Sequence, residues 1–498
     1  MSPRLTRNVA AFLLLLTSLV GVTALDATDA PAADDERNEL PILFVHGFMG
    51  SGQQFEAQSL RFASNGYPAD RIDAFEHDSL AWPGTRDQVW AGIDAKIDDL
   101  LAASGASRIV LVGHSQGTGV SQGYLNSDPA RAARVAKYIN LDGGAGGSIP
   151  ESVDGLAIWG EGDSSRTLPG ARNVQFADQS HTEVVNSPES FAEMYRFVTG
   201  EAPAFSDVVR QTGTVQISGR ALLFPENAGA HDATMRVWQV EPTTGTHPDG
   251  ARPVATIELS GDGSFGPLDL EAGVPHEFEI TRANAGVHHV YPQPFVRSSR
   301  LFRVLTSEPG GLADSFWEPS AKTQNLTVLR NEEWWADQGD RNDGLAIDGH
   351  DVLTAQNSPR SNRTIGIFLH DADSDGVSGS VTDPPPTGLP FLTGIDLVIP
   401  AGVPAPGTTS VRSTPRNGVG DETVCLPALS SIDHRMSVQF NSYHHLLNPD
   451  GSAAEGPADP DCAATPPAVG PSDGDPDERA VSVAPPARAV TARPAFTG

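Results

Sequence analysis

Ile109-Val110-Leu111-Val112-Gly113-His114-Ser115-Gln116-Gly117-Thr118 is the stretch that decides the fold. Four unbroken aliphatic residues predict a strand buried on both faces. The Gly-His-Ser-Gln-Gly that follows fits the G-x-S-x-G pattern, in which a strand ends, the chain turns sharply and a helix begins. Side chains would collide in so tight a turn, so glycine stands on either side. The turn lifts the Ser115 hydroxyl clear of the sheet edge. It also aims the N-terminus of the next helix, with the Gln116 N–H, at whatever reacts there. Ser115 is therefore the candidate nucleophile.

Outward from this turn, apolar runs at 42–45, 72–75, 138–141, 156–159 and 174–177 alternate with helical patterns. One pattern sets Trp90, Ile93, Ile97, Leu100 and Leu101 on a common face at three-four spacing. Another opens on Ser187-Pro188, stripes Phe191, Met194, Tyr195 and Val198, and stops at Gly200, the expected cap, first-turn proline and terminal glycine. The alternation predicts an α/β-hydrolase catalytic domain over 41–203, a mostly parallel sheet with helices on both faces. Past residue 205 the period becomes two, as in Val215–Ser218, Met235–Val240, Thr364–Leu369, Gly394–Ile399 and Ser437–Phe440. That predicts an all-β C-terminal region, a β-sandwich-like module at 206–306 and a second β module or barrel at 307–447. Pro, Ala, Asp and Ser dominate 448–498, which predicts a disordered tail.

A chain of 498 residues with 39% hydrophobic content can fill several cores. Its net charge is -30, with Lys96, Lys137 and Lys322 as its lysines. Such acidity repels phosphate backbones and excludes nucleic acid as a partner. Arg4 and Arg7 precede an apolar run from Val9 to Leu25 in which Val22-Thr23-Ala24 reads as a cleavage signature. This pattern predicts a signal peptide at 1–24, a flexible leader at 25–40 and export from the cell. No later segment is apolar enough to span a bilayer, so no integral membrane span is expected in the mature chain. Cys425 and Cys462 would then meet an oxidising environment; spacing leaves open whether they pair.

In this fold a second backbone donor comes from the loop after the first core strand, here His46-Gly47-Phe48. Phe48 N–H and Gln116 N–H are the candidate oxyanion donors, and His46 is read as a structural hydrogen-bonding group. The general base follows the elbow in chain order, which selects His181 in Asp178-Gln179-Ser180-His181. Two carboxylates compete as its partner: Asp142 after the run 138–141, and Asp163 after 156–159. The loser would be a loop-capping carboxylate. Only about a dozen residues separate Asp78 from Trp90, too few for a covering lid, so an open site is expected.

Taken together, residues 41–200 resemble bacterial and archaeal secreted lipases, most closely the archaeal type that adds a C-terminal β-barrel domain. The resemblance rests on PILFVHGFMGSGQQFEAQ at 41–58, RFASNGYPA at 61–69, VGHSQGT at 112–118, DPARAARVAKYINLDG at 128–143 and SHTEVVNSPESFAEMYRFVTG at 180–200. It implies a carboxylic ester hydrolase, a lipase or esterase, working on a lipid or ester substrate at an oil–water interface. The archaeal type places the acid in the LDG motif, hence Asp142. A similarity of 170–175 and its preceding loop to minimal bacterial lipases would place it at Asp163. A polyester depolymerase of cutinase kind, or a surface-binding protein with a vestigial hydrolase domain, are the alternatives. No cofactor is required, and a monomer is expected.

Weaker signals lie in the β region. Asp371-Ala372-Asp373-Ser374-Asp375-Gly376 copies the first half of a Ca²⁺ loop, making Asp371, Asp373 and Asp375 candidate ligands. Thr382, with Asp383 beside it, stands where the loop needs a bidentate Glu, and a solvated acidic turn is the competing reading. Trp317, Trp334 and Trp335 fit either core aromatics or an exposed patch. His444-His445 has no partner at metal-ligand spacing.

Overall fold

The computed structural model describes residues 40–311, 318–379, 382–383, 391–416, 418, 420–457 and 459–463. The expected signal peptide, the leader up to 39, the tail beyond 463, Trp317 and the side chains of Asp373, Thr382 and Asp383 lie outside the described residues.

Six strands form the first sheet: β1 (Ile42–Val45), β2 (Ile72–Phe75), β3 (Ile109–His114), β4 (Val135–Leu141), β5 (Asp154–Trp159) and β6 (Ala171–Gln175). Their order is β2-β1-β3-β4-β5-β6 and every pairing is parallel. The helices are α1 (Glu56–Ser64), α2 (Arg86–Ser104), α3 (Gln116–Ser127), α4 (Pro129–Ala133), α5 (Glu183–Asn186) and α6 (Pro188–Thr199). Successive strand residues point to opposite faces. Ile42 and Phe44 accordingly pack with Phe62 of α1 and Phe191, Met194 and Val198 of α6. Leu43 and Val45 pack with Ile93 and Ile97 of α2 and Val120 and Tyr124 of α3 on the other face. Each such side chain stabilises the fold by about 1.5–3 kcal/mol on leaving water. The ends of α6 follow from its sequence: Ser187 Oγ accepts from Ser190 N at 3.1 Å, and Gly200 closes the helix at φ 85°.

This order fixes where a site can form. The chain passes from β1 outward to β2, then jumps back across β1 to β3 and proceeds the other way. The connections after β1 and β3 therefore diverge onto opposite faces and leave a crevice at the carboxyl ends of those two strands. The loop His46–Gly50 and the Ser115 turn both open into it.

Beyond residue 205 the regular structure of the described residues is strand, apart from three single 3-10 turns. Its largest sheet has nine strands and runs through both stretches expected as modules in series, because Val287–Pro292 pairs in parallel with His434–Gln439. Joining the two removes an exposed edge from each. The β region is also welded to the first domain. Leu301 enters the core formed by β1 and α6, and Val208, Val296 and Tyr443 pack on Ala57 and Leu60 of α1. Trp334 and Trp335 are core aromatics at 0% and 1% exposure, capped by the Arg330 guanidinium at 3.7 Å and the Arg416 guanidinium at 3.5 Å respectively.

The tail departs from expectation. Residues 448–457 and 459–463 are described, where disorder was expected from 448. Ala453–Ala454 pairs with Leu446–Leu447, and a disulfide joins Cys425 to Cys462. Backbone pairing and a covalent tie hold a segment whose own side chains bury little. Among the described residues no helix is long and apolar enough to cross a membrane.

Candidate active site

Ser115 sits at the turn between β3 and α3 with φ 52° and ψ -122°. A non-glycine residue there carries strain of about 1–3 kcal/mol, held in place by the packing around it. That packing is tight. A Cβ on Gly117 would lie 2.2 Å from the Val45 carbonyl oxygen, so α3 starts directly against β1. A Cβ on Gly47 would lie 2.8 Å from Ser115 Cβ and 3.3 Å from its Oγ. The loop carrying Phe48 thus lies over Ser115 because residue 47 has no side chain. The loop is pinned by Gln54 Oε1, which accepts from Gly47 N at 3.1 Å, and by Ser79 Oγ, which accepts from Met49 N at 2.8 Å. Gln116 occupies the first turn of α3 and its side-chain amide donates to Ser79 O at 3.2 Å.

Of the two competing carboxylates, Asp142 is the one brought to the imidazole. It directly follows β4 at φ 43°, is buried, and its Oδ2 lies 2.6 Å from His181 Nδ1. Its Oδ1 accepts from Gly160 N at 2.8 Å and faces the Arg166 guanidinium at 2.9 Å. Burial pushes the Asp142 carboxyl upward, but the His181 hydrogen bond, the Gly160 N–H and the Arg166 charge outweigh it and hold the group below its ordinary value. An ionised partner at Nδ1 keeps the proton on that nitrogen and leaves Nε2 with its lone pair. Asp163 is exposed, and its carboxylate caps its own turn, accepting from Ser165 N at 2.8 Å and Ser165 Oγ at 2.7 Å. No hydrogen bond joins Ser115 Oγ to the His181 ring among the described residues; catalytic bonds of this kind commonly tighten only around substrate.

Several contacts around the site had no sequence signal. Gln54 Nε2 donates to His114 Nδ1 at 2.7 Å, so His114 Nε2 carries the proton and donates to His181 O at 3.1 Å. Burial holds His114 well below its ordinary value, hence neutral. His46 is structural: Nδ1 donates to Gly47 O at 2.9 Å, while Nε2 accepts from His77 N and from Asn227 Nδ2, both at 3.2 Å. Asn227 belongs to the β region and also donates to Gly50 O at 2.5 Å, clamping the His46–Gly50 loop from outside its own domain.

The expected open site is replaced by a walled one. Ser115 and His181 line a cavity of about 150 Å³ whose other walls include Phe224, Leu305, Phe368, Leu392 and Met436, all from the β region. The short connection after Asp78 leaves the crevice bare, and the strands of the second domain cover it.

Metal candidates fare differently. Asp371 Oδ1 accepts from Gly376 N at 3.1 Å and Asp375 Oδ1 from Val377 N at 2.8 Å, bonds internal to the turn. Among the described residues the one group with metal-ligand spacing is His247, Glu277 and Glu279. Its donors are already engaged, His247 Nε2 with Glu277 at 2.6 Å and Glu279 with Arg236 at 2.8 Å. His444 pairs with Glu332 at 2.8 Å.

The strand order, the elbow and its surroundings define an α/β-hydrolase core. Residues 213–309 match the family model described as the lipase C-terminal domain, and 313–444 match one described only as "-like, C-terminal domain". Core and matched domain together make this a lipase-like α/β-hydrolase with a C-terminal β region. No curated protein matches the chain in sequence. Among solved structures, Aspergillus fumigatus lipase B is 14% identical over 35% of this chain and 57% of its own, with a TM-score of 0.27. The product of the gene lin2722 from Listeria innocua is 13% identical over 33% of this chain and 96% of its own, TM-score 0.26. An acetylxylan esterase is 12% identical over 33% and 98%, TM-score 0.22. These likenesses cover about a third of the chain and add nothing to the topology itself.

Proposed function

We propose that this chain is an exported serine hydrolase of carboxylic esters, a lipase or esterase, in which Ser115, His181 and Asp142 act in acyl transfer. The observation that carries the reading is the 2.6 Å bond from the buried Asp142 carboxylate to His181 Nδ1, at a cavity that Ser115 also lines. In the reaction His181 Nε2 takes the Ser115 proton as Oγ attacks the ester carbonyl. The N–H groups of Phe48 and Gln116 receive the oxyanion. His181 then protonates the departing alcohol, and water repeats the sequence to free the acid. The route needs no cofactor. Support for a lipid acyl chain comes from the aliphatic and aromatic cavity wall, and a walled cavity favours one chain over a polymer strand laid on an open face. The Cys425–Cys462 disulfide fits an oxidising compartment outside the cell.

The test is hydrolysis of p-nitrophenyl esters of rising chain length, with labelling by a fluorophosphonate probe. Ser115→Ala is expected to abolish labelling and lower kcat by at least about 10⁴-fold. A Ser115→Ala protein that still turns over would end the proposal. Hydrolysis of polyester film in preference to every soluble or emulsified ester would transfer it to a depolymerase.

A further inference from the structure

His181 lies in the short turn Ser180-His181-Thr182 ahead of α5, where Ser180 O and Thr182 O accept from Val184 N and Val185 N and Ser180 N donates to the Glu183 carboxylate at 3.0 Å, while Thr182 N and Ser180 Oγ, on either side of the ring, find no partner in their own domain among the described residues. A base on a loop must be held by something else if its ring is to keep one orientation. The holder comes from the other domain. Glu333, just beyond the strand Leu326–Leu329, is fully buried. Its carboxylate straddles the base: Oε1 accepts from Thr182 N at 2.7 Å, and Oε2 accepts from Ser180 Oγ. One side chain thus grips both residues flanking His181. A neighbouring contact points the same way, with Asn331 O accepting from Asn186 Nδ2 at 2.7 Å.

Glu333 is itself fixed. Its backbone oxygen accepts from the guanidinium groups of Arg330 and Arg416. Those guanidiniums also face Asp343, at 2.9 and 3.2 Å, and Arg416 faces Glu332 at 3.1 Å. The carboxylate is therefore presented from a charge-compensated, buried frame, which is costly to build for a mere surface contact.

We propose that Glu333 is a positioning residue for the base, so that this carboxylate is one route by which ester hydrolysis at Ser115 depends on the C-terminal β region. The inference rests on the reading of Ser115 and His181 given above. The ring is steered from three directions: Asp142 at Nδ1, His114 at the His181 carbonyl, and Glu333 at both neighbours. Removing the last frees the Thr182 N–H and the Ser180 hydroxyl on either side of the ring. A displacement near 1 Å in such a site costs about 10²-fold in rate.

The test uses the full chain and short-chain p-nitrophenyl esters, with active sites counted by end-point fluorophosphonate labelling, well below the melting temperature of each variant. Glu333→Ala is expected to lower kcat per site by roughly 10²-fold with KM nearly unchanged. Glu333→Gln should recover most of that loss, since its amide oxygen can accept from Thr182 N while its NH₂ donates to Ser180 Oγ. Combined with Asp142→Asn, the Glu333→Ala cost should shrink, because a ring already misdirected has little orientation left to lose. The inference is overturned if Glu333→Ala keeps its kcat per site and merely melts earlier, or if the two losses multiply independently. Should Glu333→Ala fail to fold, Ser180→Ala removes one of the two grips from the other side, and an unchanged kcat there overturns it equally. Ser115→Ala run in parallel separates the failures. If it stays active, the hydrolase reading falls first; if it is dead, the Glu333 result bears on this inference alone.

Discussion

Asp142→Asn is the perturbation whose outcome the geometry constrains most. Two donors converge on Oδ1, the Gly160 N–H at 2.8 Å and the Arg166 guanidinium at 2.9 Å, while Oδ2 alone faces His181 at 2.6 Å. An amide at this position has one acceptor and one NH₂. Its oxygen must go to the two donors, since the reverse would set NH₂ against an N–H and a guanidinium and leave buried donors unpaired, at about 1–3 kcal/mol each. The NH₂ then faces Nδ1, which can only accept. The imidazole proton moves to Nε2, the nitrogen that has to receive the Ser115 proton. The wrong tautomer should cost about 10³–10⁴ in kcat, equivalent to about 4–5.5 kcal/mol of barrier, with KM changed little. Asp163→Asn is the control. That carboxylate is exposed and bonds only Ser165, so kcat should stay within about twofold, as for most surface changes. Steady-state kinetics on one soluble ester, normalised to labelled sites, measures both. Wild-type turnover by Asp142→Asn, or a collapse in Asp163→Asn, would refute the assignment of the acid.

Two further outcomes follow from packing and titration. Gly47→Ala places a methyl 2.8 Å from Ser115 Cβ and 3.2 Å from His114 O, neither of which can retreat from the elbow; kcat should drop by about 10²-fold with a melting temperature lowered by a few degrees, and turnover within about twofold of wild type would show the loop to be loose. Glu56 lies buried at the seam between the domains, accepting from Ser299 Oγ at 2.9 Å, and burial pushes its carboxyl from 4.5 up to about 7. The folded state therefore holds this proton more tightly than the unfolded chain, so the contribution is complete below 4.5 and lost as pH rises through about 7. The loss is on the order of 3 kcal/mol for this group. Denaturant midpoints at pH 5 and pH 8 should therefore converge in Glu56→Gln, with Glu183 and Glu422, both pushed to about 7, sustaining the remaining slope. An unaltered difference between the two pH values would remove Glu56 from this role.

How far the site could be read in advance depended on how local its causes are. The elbow is fixed by glycines two positions either side of Ser115 and by four aliphatic residues before it, so a ten-residue window sufficed. His181 was reachable because chain order in this fold is dictated by the sheet. The choice between Asp142 and Asp163 was not. Both follow a strand and both belong to turns, and what separates them is the direction of one carboxylate, set by Arg166 and the Gly160 N–H across the sheet edge. The start of the tail, up to 463, departs for the opposite reason: its composition predicts disorder, and a disulfide from Cys462 to Cys425 ties it down.

The walled cavity shows the same limit at a larger scale and explains why the short connection after Asp78 misled. A lid is legible when it is an insertion near the elbow. Here the cover is assembled from residues between Phe224 and Met436, none adjacent in sequence to the residues they enclose. Asn227 grips the His46–Gly50 loop and Glu333 grips the Ser180–Thr182 turn, so the segments on both sides of Ser115 are anchored by the second domain. In such an arrangement the strands that wall the cavity also hold the loops. It carries a physical consequence for the isolated first domain. Without residues past 205 the side chains of Met49, Ala57 and Leu60 would be exposed, and the Ser180–Thr182 and His46–Gly50 loops would lose their outer hydrogen bonds together. The first domain's sheet and elbow would still be specified by its own sequence. Its reacting groups would not be held in the geometry that makes them a site.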